Sequence, residues 1–520
     1  MSKSQSKRKK KLQQQRLARQ EQIANREDQR LRGPRKLFMA TAFLTTILSF
    51  GVGLMAIVTS RDKLLTIISF SAGGATFLLT VVQAFPRVIS HMRDSLRALL
   101  YVVVVLVALG MGPLSWVVFQ QPVIKIGVSL PFSGGDQQDA MPIYNAIKQA
   151  IEDQKLVNNK LESYHIELVP FDDSKVADSI SLRSPDNPSS IIKSTTFVKL
   201  VQDEQLAAII GPFNSGAAIH EIPIAKRASL PLISPANTSD CLTQKEFSCA
   251  GFDLDQSGFQ TYFRTASVDF IRETAFADFF ARKYPGDSRV VIYRDGTPFG
   301  DSFAERFAER WQQLSPSHQK PKSFLAGSDP AESLRKLGPV PDAILFAGTG
   351  ADGIDLHKAM QRNPAFSNTA FGAAATIMNG GFNEHLKVDP NGVIYAIAPM
   401  PYDEQKPETS QFISNYENHN GYGTPTPYSA SAYDATGIAF AAIRATIPYN
   451  RPPIALLGNP KPFRKKVIEK ITNTDEYKGV TGTIRFDKNG DVEFAGQDDN
   501  QGVSIHIFMA QTQKWKNVPF

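Results

Sequence analysis

From residue 123 onward, short apolar runs alternate with stretches that carry apolar residues at helical spacing. "VIKIGVSL" (123–130), "HIELVPFD" (165–172), "LAAIIGP" (206–212) and "LPLISPA" (230–236) are predicted strands. Residues 140–153, "STTFVKLVQDE" (194–204) and "AAIHEIPIAKRA" (217–228) are predicted helices between them. After "YFRTAS" (262–267) the pattern restarts. Helix "ETAFADFFARKY" precedes strand "RVVIYRD" (289–295), then helix "DSFAERFAERWQQL", strand "DAILFAG" (342–348), a helix near 353–361 and strand "GVIYAIAP". Alternation of this kind predicts parallel sheets covered by helices on both faces. The restart predicts two lobes: lobe 1 from about 121–265 and 400–475, lobe 2 from about 266–399 and 480–520. "GTIRFDKNGDVEF" and "VSIHIFMA" read as the closing crossover, with a hairpin turn at Asn489-Gly490. A calcium loop at "DKNGD" would need a later bidentate glutamate, and the spacing lacks it.

Ahead of residue 121 the pattern differs. Three charge-free apolar runs occupy 37–59, 64–85 and 98–119. Each is near the roughly 20 residues a membrane helix needs, and longer than the about 7–15 of a signal peptide core. The fold class is therefore α/β, two-lobed with parallel sheets, preceded by transmembrane α-helices. Residues 1–36 hold 13 Lys/Arg and 3 Asp/Glu, a net +10, so against a whole-chain charge of +7 the remainder carries −3. A mildly acidic body gives no support for a nucleic acid partner. The basic tail marks the cytoplasmic side, and Arg87, Arg93 and Arg97 keep the second link inside as well. The expected arrangement is a basic cytoplasmic tail (1–36), a membrane region (37–120) and an extracytoplasmic domain (121–520), in a multi-pass protein of the plasma membrane.

The chain has two cysteines, Cys241 and Cys249. An extracytoplasmic compartment permits a disulfide between them, two free thiols being the alternative. Two strands end in unusually polar loops, "GPFNSG" (211–216) and "SPANTS" (234–239). Ligands of open α/β sheets sit beyond the carboxyl ends of the strands. Ser215 heads a helix whose free N–H groups favour an anion, so Ser215, Thr238 and nearby amides form a candidate site for a small carboxylate. Ordinary helix capping also explains Ser215.

These stretches, with "IKIGVSLPFSGG", "IELVPFDDS", "VVIYRDGTPFGDSFAERF", "SASAYDATGIAFAAI" and "VTGTIRFDKNGDV", occur over residues 123–508 in an order that resembles the branched-chain amino acid binding proteins of bacterial ABC importers, the type I periplasmic binding fold. The resemblance implies two lobes joined by three hinge strands, with a ligand held between them. It implies that Ser215, Ala236 and Thr238 hold the ligand carboxylate and amine. Ser133 and Gly134 line the cleft, Phe299 packs on the ligand from the second lobe, and Thr349 lies on a ligand-facing loop. One position departs. Relatives that bind amino acids place a carboxylate for the ligand ammonium where Ala374 stands here, which leaves Asp295 or Asp352 to substitute.

Gly348-Thr349-Gly350-Ala351-Asp352-Gly353 matches GxGxxG after a strand and before a helix, but no acid follows at about 20 residues to take a ribose. The paired acids at 172–173 lack a histidine cluster and read as strand-end caps. Neither a nucleophile elbow nor zinc spacing occurs, so no enzyme, cofactor or metal is expected. The sequence reading is a membrane-tethered binding protein that captures a small polar solute (amino acid, amide or small carboxylate) for an ABC-type importer, with a membrane permease as partner. The alternatives are a ligand-sensing ectodomain with a signalling partner and a nucleotide-dependent enzyme.

Overall fold

The structure is a computed structural model. It describes residues 13–22, 123–157, 164–175, 181–183, 191–193, 197–247, 249, 260–315, 320–326, 329–388, 392–419, 421–447, 459–495 and 502–518. The apolar runs at 37–59, 64–85 and 98–119 lie outside the described residues. Among the described residues no helix is long and apolar enough to cross a membrane. The chain divides into two units, Met1–Gln121 and Pro122–Phe520. In the first, residues 13–22 form an exposed helical segment.

The second unit opens with strand β1 (Val123–Leu130), helix α1 (Gln137–Val157) and β2 (His165–Asp172). A small hairpin, β3 (Ser181–Arg183) and β4 (Ile191–Lys193), precedes β5 (Leu206–Ile210), α2 (Ser215–Arg227), β6 (Leu232–Ser234) and β7 (Tyr262–Arg264). The first sheet has the order β2-β1-β5-β6-β7, with every neighbouring pair parallel. Strands buried on both faces must be apolar throughout, and β5 and β6 are fully buried along their length.

The second sheet begins after α3 (Asp269–Lys283) with β8 (Val290–Arg294), α4 (Pro298–Leu314), β9 (Lys322–Leu325), β10 (Ala343–Ala347), α5 (Gly350–Gln361), β11 (Ala370–Ala374), α6 (Gly380–Val388) and β12 (Ile394–Ala398). Its helices cover it with an aromatic cluster of Phe276, Phe280, Phe303, Phe307 and Trp311. The chain then returns to the first lobe. Helix α7 (Pro427–Thr446) packs on α1, β5 and β6, and α8 (Lys461–Thr472) packs on α7 and β5. Arg464 of α8 donates to the carbonyls of Leu206 (2.9 Å), Val201 (3.2 Å) and Asp203 (2.6 Å), closing that edge.

Residues 477–495 form a separate antiparallel sheet of β13 (Tyr477–Lys478), β14 (Thr483–Phe486) and β15 (Val492–Ala495). Its Asn489-Gly490 turn is built as the sequence suggests: Asp487 Oδ1 accepts from the N–H groups of Asn489 and Asp491, both at 2.8 Å, and Gly490 has φ +84°. That carboxylate is engaged in the turn. Strands β16 (Ser504–Met509) and β17 (Lys514–Val518) join the second sheet antiparallel, giving β17-β16-β12-β11-β10-β8-β9. Three segments thus pass between the lobes: one after β7, one after β12 and one before β16. Cys241 and Cys249 are joined, with Cα atoms 5.5 Å apart.

Candidate functional site between the lobes

The two polar loops stand side by side at the carboxyl edge of the first sheet, and most of their polar groups serve the loops themselves. Ser234 Oγ donates to Pro212 O (2.7 Å) and accepts from the N–H groups of Ala236 (3.2 Å) and Asn237 (2.9 Å). Asn237 Nδ2 donates to Phe213 O (2.6 Å), and its Oδ1 accepts from the Tyr262 hydroxyl (2.9 Å). Asp173 Oδ2 accepts from the N–H groups of Phe213 (2.7 Å) and Asn214 (3.1 Å), and burial raises its pKa to about 7. Gly211 permits the approach of this loop to β1, since a Cβ there would lie 2.2 Å from Ser129 O.

Arg264, wholly buried at the end of β7, locks the second loop in place. Its Nε donates to Asp491 Oδ1 (2.7 Å), Nη1 to Ser239 O (2.9 Å), and Nη2 to Thr243 Oγ1. The paired acids at 172–173 are capping groups too, because Asp172 accepts from Ser133 Oγ and Ser174 Oγ, each at 2.6 Å.

Two hydroxyls remain. Thr238 is fully buried and its Oγ1 has no hydrogen-bond partner among the described residues. Ser215 is 4% exposed at the first position of α2, and its neighbour Asn214 makes no side-chain cap. Ala236, next to Thr238, has given its N–H to Ser234, which leaves its carbonyl to offer. A buried polar group without a partner costs roughly 1–3 kcal/mol. Thr238 is therefore the family-matched hydroxyl whose bonding capacity the described residues leave unused.

The second lobe faces them. Asp269 N donates to Thr238 O (2.8 Å) and Ser239 Oγ to Pro298 O (3.3 Å). Phe299 is buried at the start of α4, with the Arg272 guanidinium 5.1 Å from its ring centroid. Arg272 is itself fully buried. Its Nη2 donates to Asp269 Oδ1 (2.7 Å) and its Nε to Glu273 Oε1 (2.7 Å), while Nη1 has no partner. Asp269 Oδ2 and Glu273 Oε2 are also without partners. From the first lobe, Asp139 of α1 accepts from Asn379 Nδ2 of the second lobe (3.2 Å), and its Oδ1 is unpartnered. Tyr428 of α7 is buried, and burial raises the pKa of its hydroxyl. Burial raises the pKa of both Asp139 and Glu273 well above the ordinary carboxylate range.

The structure brings together Ser215, Ala236, Thr238 and Phe299 and places the other candidates at the rim. Ser133 is bonded to Asp172 and Ser174, and Gly134 is exposed with φ +83°. Thr349 stands at the N-cap position of α5 without a side-chain capping bond, its N–H donating to Asp295 Oδ2 (3.2 Å) and its side chain bonding Asp136 of the first lobe. Ala374 is fully buried in the aromatic cluster behind the second sheet. The suggested substitutes for its missing carboxylate do not converge on the buried site. Asp295 Oδ1 accepts from Thr297 N (2.9 Å) and Oγ1 (2.7 Å), its Oδ2 serves Thr349, and Asp352 is exposed. Among the described residues, Asp139, Asp269 and Glu273 each keep one carboxylate oxygen without a partner, as do Glu221 and Asp240, and the sequence reading missed them. Two glycines of the GxGxxG stretch serve packing: a Cβ on Gly348 would lie 2.6 Å from Phe346 Cζ, and one on Gly353 2.9 Å from the same ring.

Two lobes of parallel α/β structure, three linking segments and a polar site between them define a two-lobed binding protein of the periplasmic type. Residues 123–496 match the family model described as periplasmic binding protein, and the chain belongs to that family. No curated protein matches the sequence. Among solved structures, the leucine binding protein LivK from Thermotoga maritima is 20% identical with a TM-score of 0.57, over 76% of this chain and 98% of that one. The branched-chain amino acid transporter substrate binding protein LivJ from Streptococcus pneumoniae, in complex with isoleucine, is 18% identical with a TM-score of 0.57, over 76% and 99%. A solute binding protein of an ABC transporter from R. palustris, in complex with benzoate, is 15% identical with a TM-score of 0.56, over 76% and 95%. At these identities the likeness is one of fold.

Proposed function

We propose that this chain is a membrane-tethered, extracytoplasmic solute-binding protein that closes its two lobes on a small polar solute and presents it to an ABC-type importer. The observation that carries the reading is the fully buried hydroxyl of Thr238, which has no partner among the described residues, with the buried Ser215 at the head of α2 beside it, on loops whose Ser234 and Asn237 side chains are bonded within the protein. A ligand held there would supply the bonds the protein leaves unmade. The ligands named for the relatives, leucine, isoleucine and benzoate, each carry the carboxylate such hydroxyls suit. Tethering is supported by the three apolar runs, and the outward orientation of residues 121–520 by the +10 tail. Ser133, Gly134 and Thr349 belong to the rim of the proposed cleft.

The test is a thermal-shift screen of the intact chain in detergent against amino acids, amides and small organic acids. A solute at 100 times its dissociation constant stabilises the protein by roughly 2.7 kcal/mol. The expected result is a shift with one chemical class. Absence of any shift at millimolar concentration across the panel overturns the reading. Co-purification with a permease and ATPase supports transport, and co-purification with a kinase or cyclase instead supports a sensor.

A further inference from the structure

The loop between β6 and β7 reaches from one lobe to the other. It is rooted in the first lobe, where Cys241, Leu242 and Cys249 are buried in the same apolar cluster as Leu206, Leu232 and Tyr262, and Cys241 and Cys249 are joined. Arg264 of β7 donates to Ser239 O at 2.9 Å, and Thr243 Oγ1 donates to Asp491 Oδ2 at 3.0 Å. Two side chains of this segment cross to the second lobe. Asp240 Oδ1 accepts from Phe270 N at 2.9 Å, in the first turn of α3, and Asp240 Oδ2 lies 3.3 Å from Arg306 Nε of α4. The centre of the Phe247 ring lies 4.2 Å from the same guanidinium. Helix α3 has no cap of its own, because Val268 at its N-cap position offers no side-chain acceptor. The first N–H groups of a helix need partners from outside it, and Asp240 supplies one across the lobes. The Arg306 side chain is 12% exposed and that of Asp240 2%, so salt screens the pair little.

We propose that the disulfide-closed loop is a strap that holds the second lobe against the first, with Asp240 and Phe247 both fastened to Arg306. The cross-link, eight residues long, roots the loop in the first lobe while the two side chains reach the second. The strap acts on the approach of the lobes themselves, whatever solute enters between them.

Two successive amides of the second lobe report on it. Asp269 N donates to Thr238 O at 2.8 Å and Phe270 N to Asp240, so both acceptors belong to the first lobe, and both amides exchange with solvent when the lobes part. Hydrogen exchange of the intact chain in detergent, resolved by residue, is compared for the parent, Arg306→Met and Phe247→Leu at pH 8. Burial and the nearby Asp269 raise the Asp240 carboxyl to about 7, with Arg264 and Arg306 opposing, so at pH 8 it is charged. Arg306→Met loses the ion pair and the cation–π contact, and should speed exchange at Asp269 and Phe270 roughly threefold to thirtyfold. Phe247→Leu loses the cation–π contact alone and should speed it roughly twofold to fivefold. Ile209 N and Phe371 N, which donate within the first and second lobes to Pro231 O and Val393 O at 2.9 Å each, should exchange as in the parent. Unchanged exchange at Asp269 and Phe270 in both variants overturns the strap. Equal acceleration at Ile209 or Phe371 shows a general loosening of that lobe and overturns it as well. If Arg306→Met does not melt cooperatively, Phe247→Leu decides. Either failure leaves the solute-binding reading standing, because the measurement contains no solute.

Discussion

Replacing Thr238 by valine separates a functional hydroxyl from a structural one. Valine keeps the branched shape and exchanges the hydroxyl for a methyl. The hydroxyl makes no hydrogen bond within the described protein and is fully buried, so the unliganded chain loses no bond. Relief of an unsatisfied buried group is worth roughly 1–3 kcal/mol, so stability should hold or rise. Ligand affinity should move the other way, by roughly tenfold to hundredfold for a lost charge-assisted bond. Ser234→Ala is the contrast. Ser234 donates one bond and accepts two. At about 0.5–1.5 kcal/mol each, with two buried N–H groups left unpaired, its loss should destabilise by roughly 2–4 kcal/mol. Urea unfolding without ligand reads the first effect, and calorimetric titration with the solute found in the screen reads the second. The reasoning fails if Thr238→Val lowers the stability of the empty protein by more than about 1 kcal/mol, or if it binds ligand as tightly as the parent.

Two further predictions concern stability. Burial holds His506 and His357 neutral, lowering each pKa from 6.5 to about 3, with His385 adding to the effect on His357. Because these folded values are depressed, the unfolded chain takes up protons first as pH falls. The stabilisation is present above about 6.5 and drains away towards 3, by about 1.4 kcal/mol per pH unit for each histidine. Asp173 and Asp434, raised by burial to about 7 and about 6, act in the opposite sense, losing their contribution as pH rises through those values. His506→Gln isolates one term: between pH 6.5 and 4.5 it should lose roughly 2 kcal/mol less than the parent in urea titrations, and equal losses would refute the assignment. Arg264→Met strands the buried Asp491 and should cost about 3–5 kcal/mol, while Arg264→Met with Asp491→Leu should cost clearly less than the two single losses together. Simple additivity in thermal melts would show that the pair is not coupled.

The parallel sheets were legible because strands buried on both faces must be apolar along their whole length, and the restart after "YFRTAS" marked the second lobe. The separate sheet of residues 477–495 was not, since short half-exposed strands carry no period that says which sheet they join. In the site, Ser215 and Thr238 could be named from their place at strand ends. That Thr238, unlike Ser234, Asn237 and Ser239, has no partner among the described residues could not, because it depends on which neighbour each side chain reaches.

The buried charges had a signal that went unread. Asp269, Arg272 and Glu273 stand at i, i+3 and i+4, and the next members of that row are the buried Phe276 and Phe280. Asp139 likewise heads the row that continues through Ile143, Ala146, Ile147 and Ala150, all buried. Charges on an amphipathic helix ordinarily turn to water, which is why an acid in a helical stretch attracts no notice. Charges in register with the apolar stripe cannot turn away without exposing it. Folding must therefore bury them, and burial obliges them to find partners. Arg272 finds Asp269 and Glu273, and Asp139 finds Asn379 of the second lobe. A residue that belongs to the apolar face by position and to the polar class by chemistry is kept at a cost to stability. Here burial pushes the pKa of Asp139 and Glu273 well above the ordinary carboxylate range, which lowers that cost by favouring the neutral form.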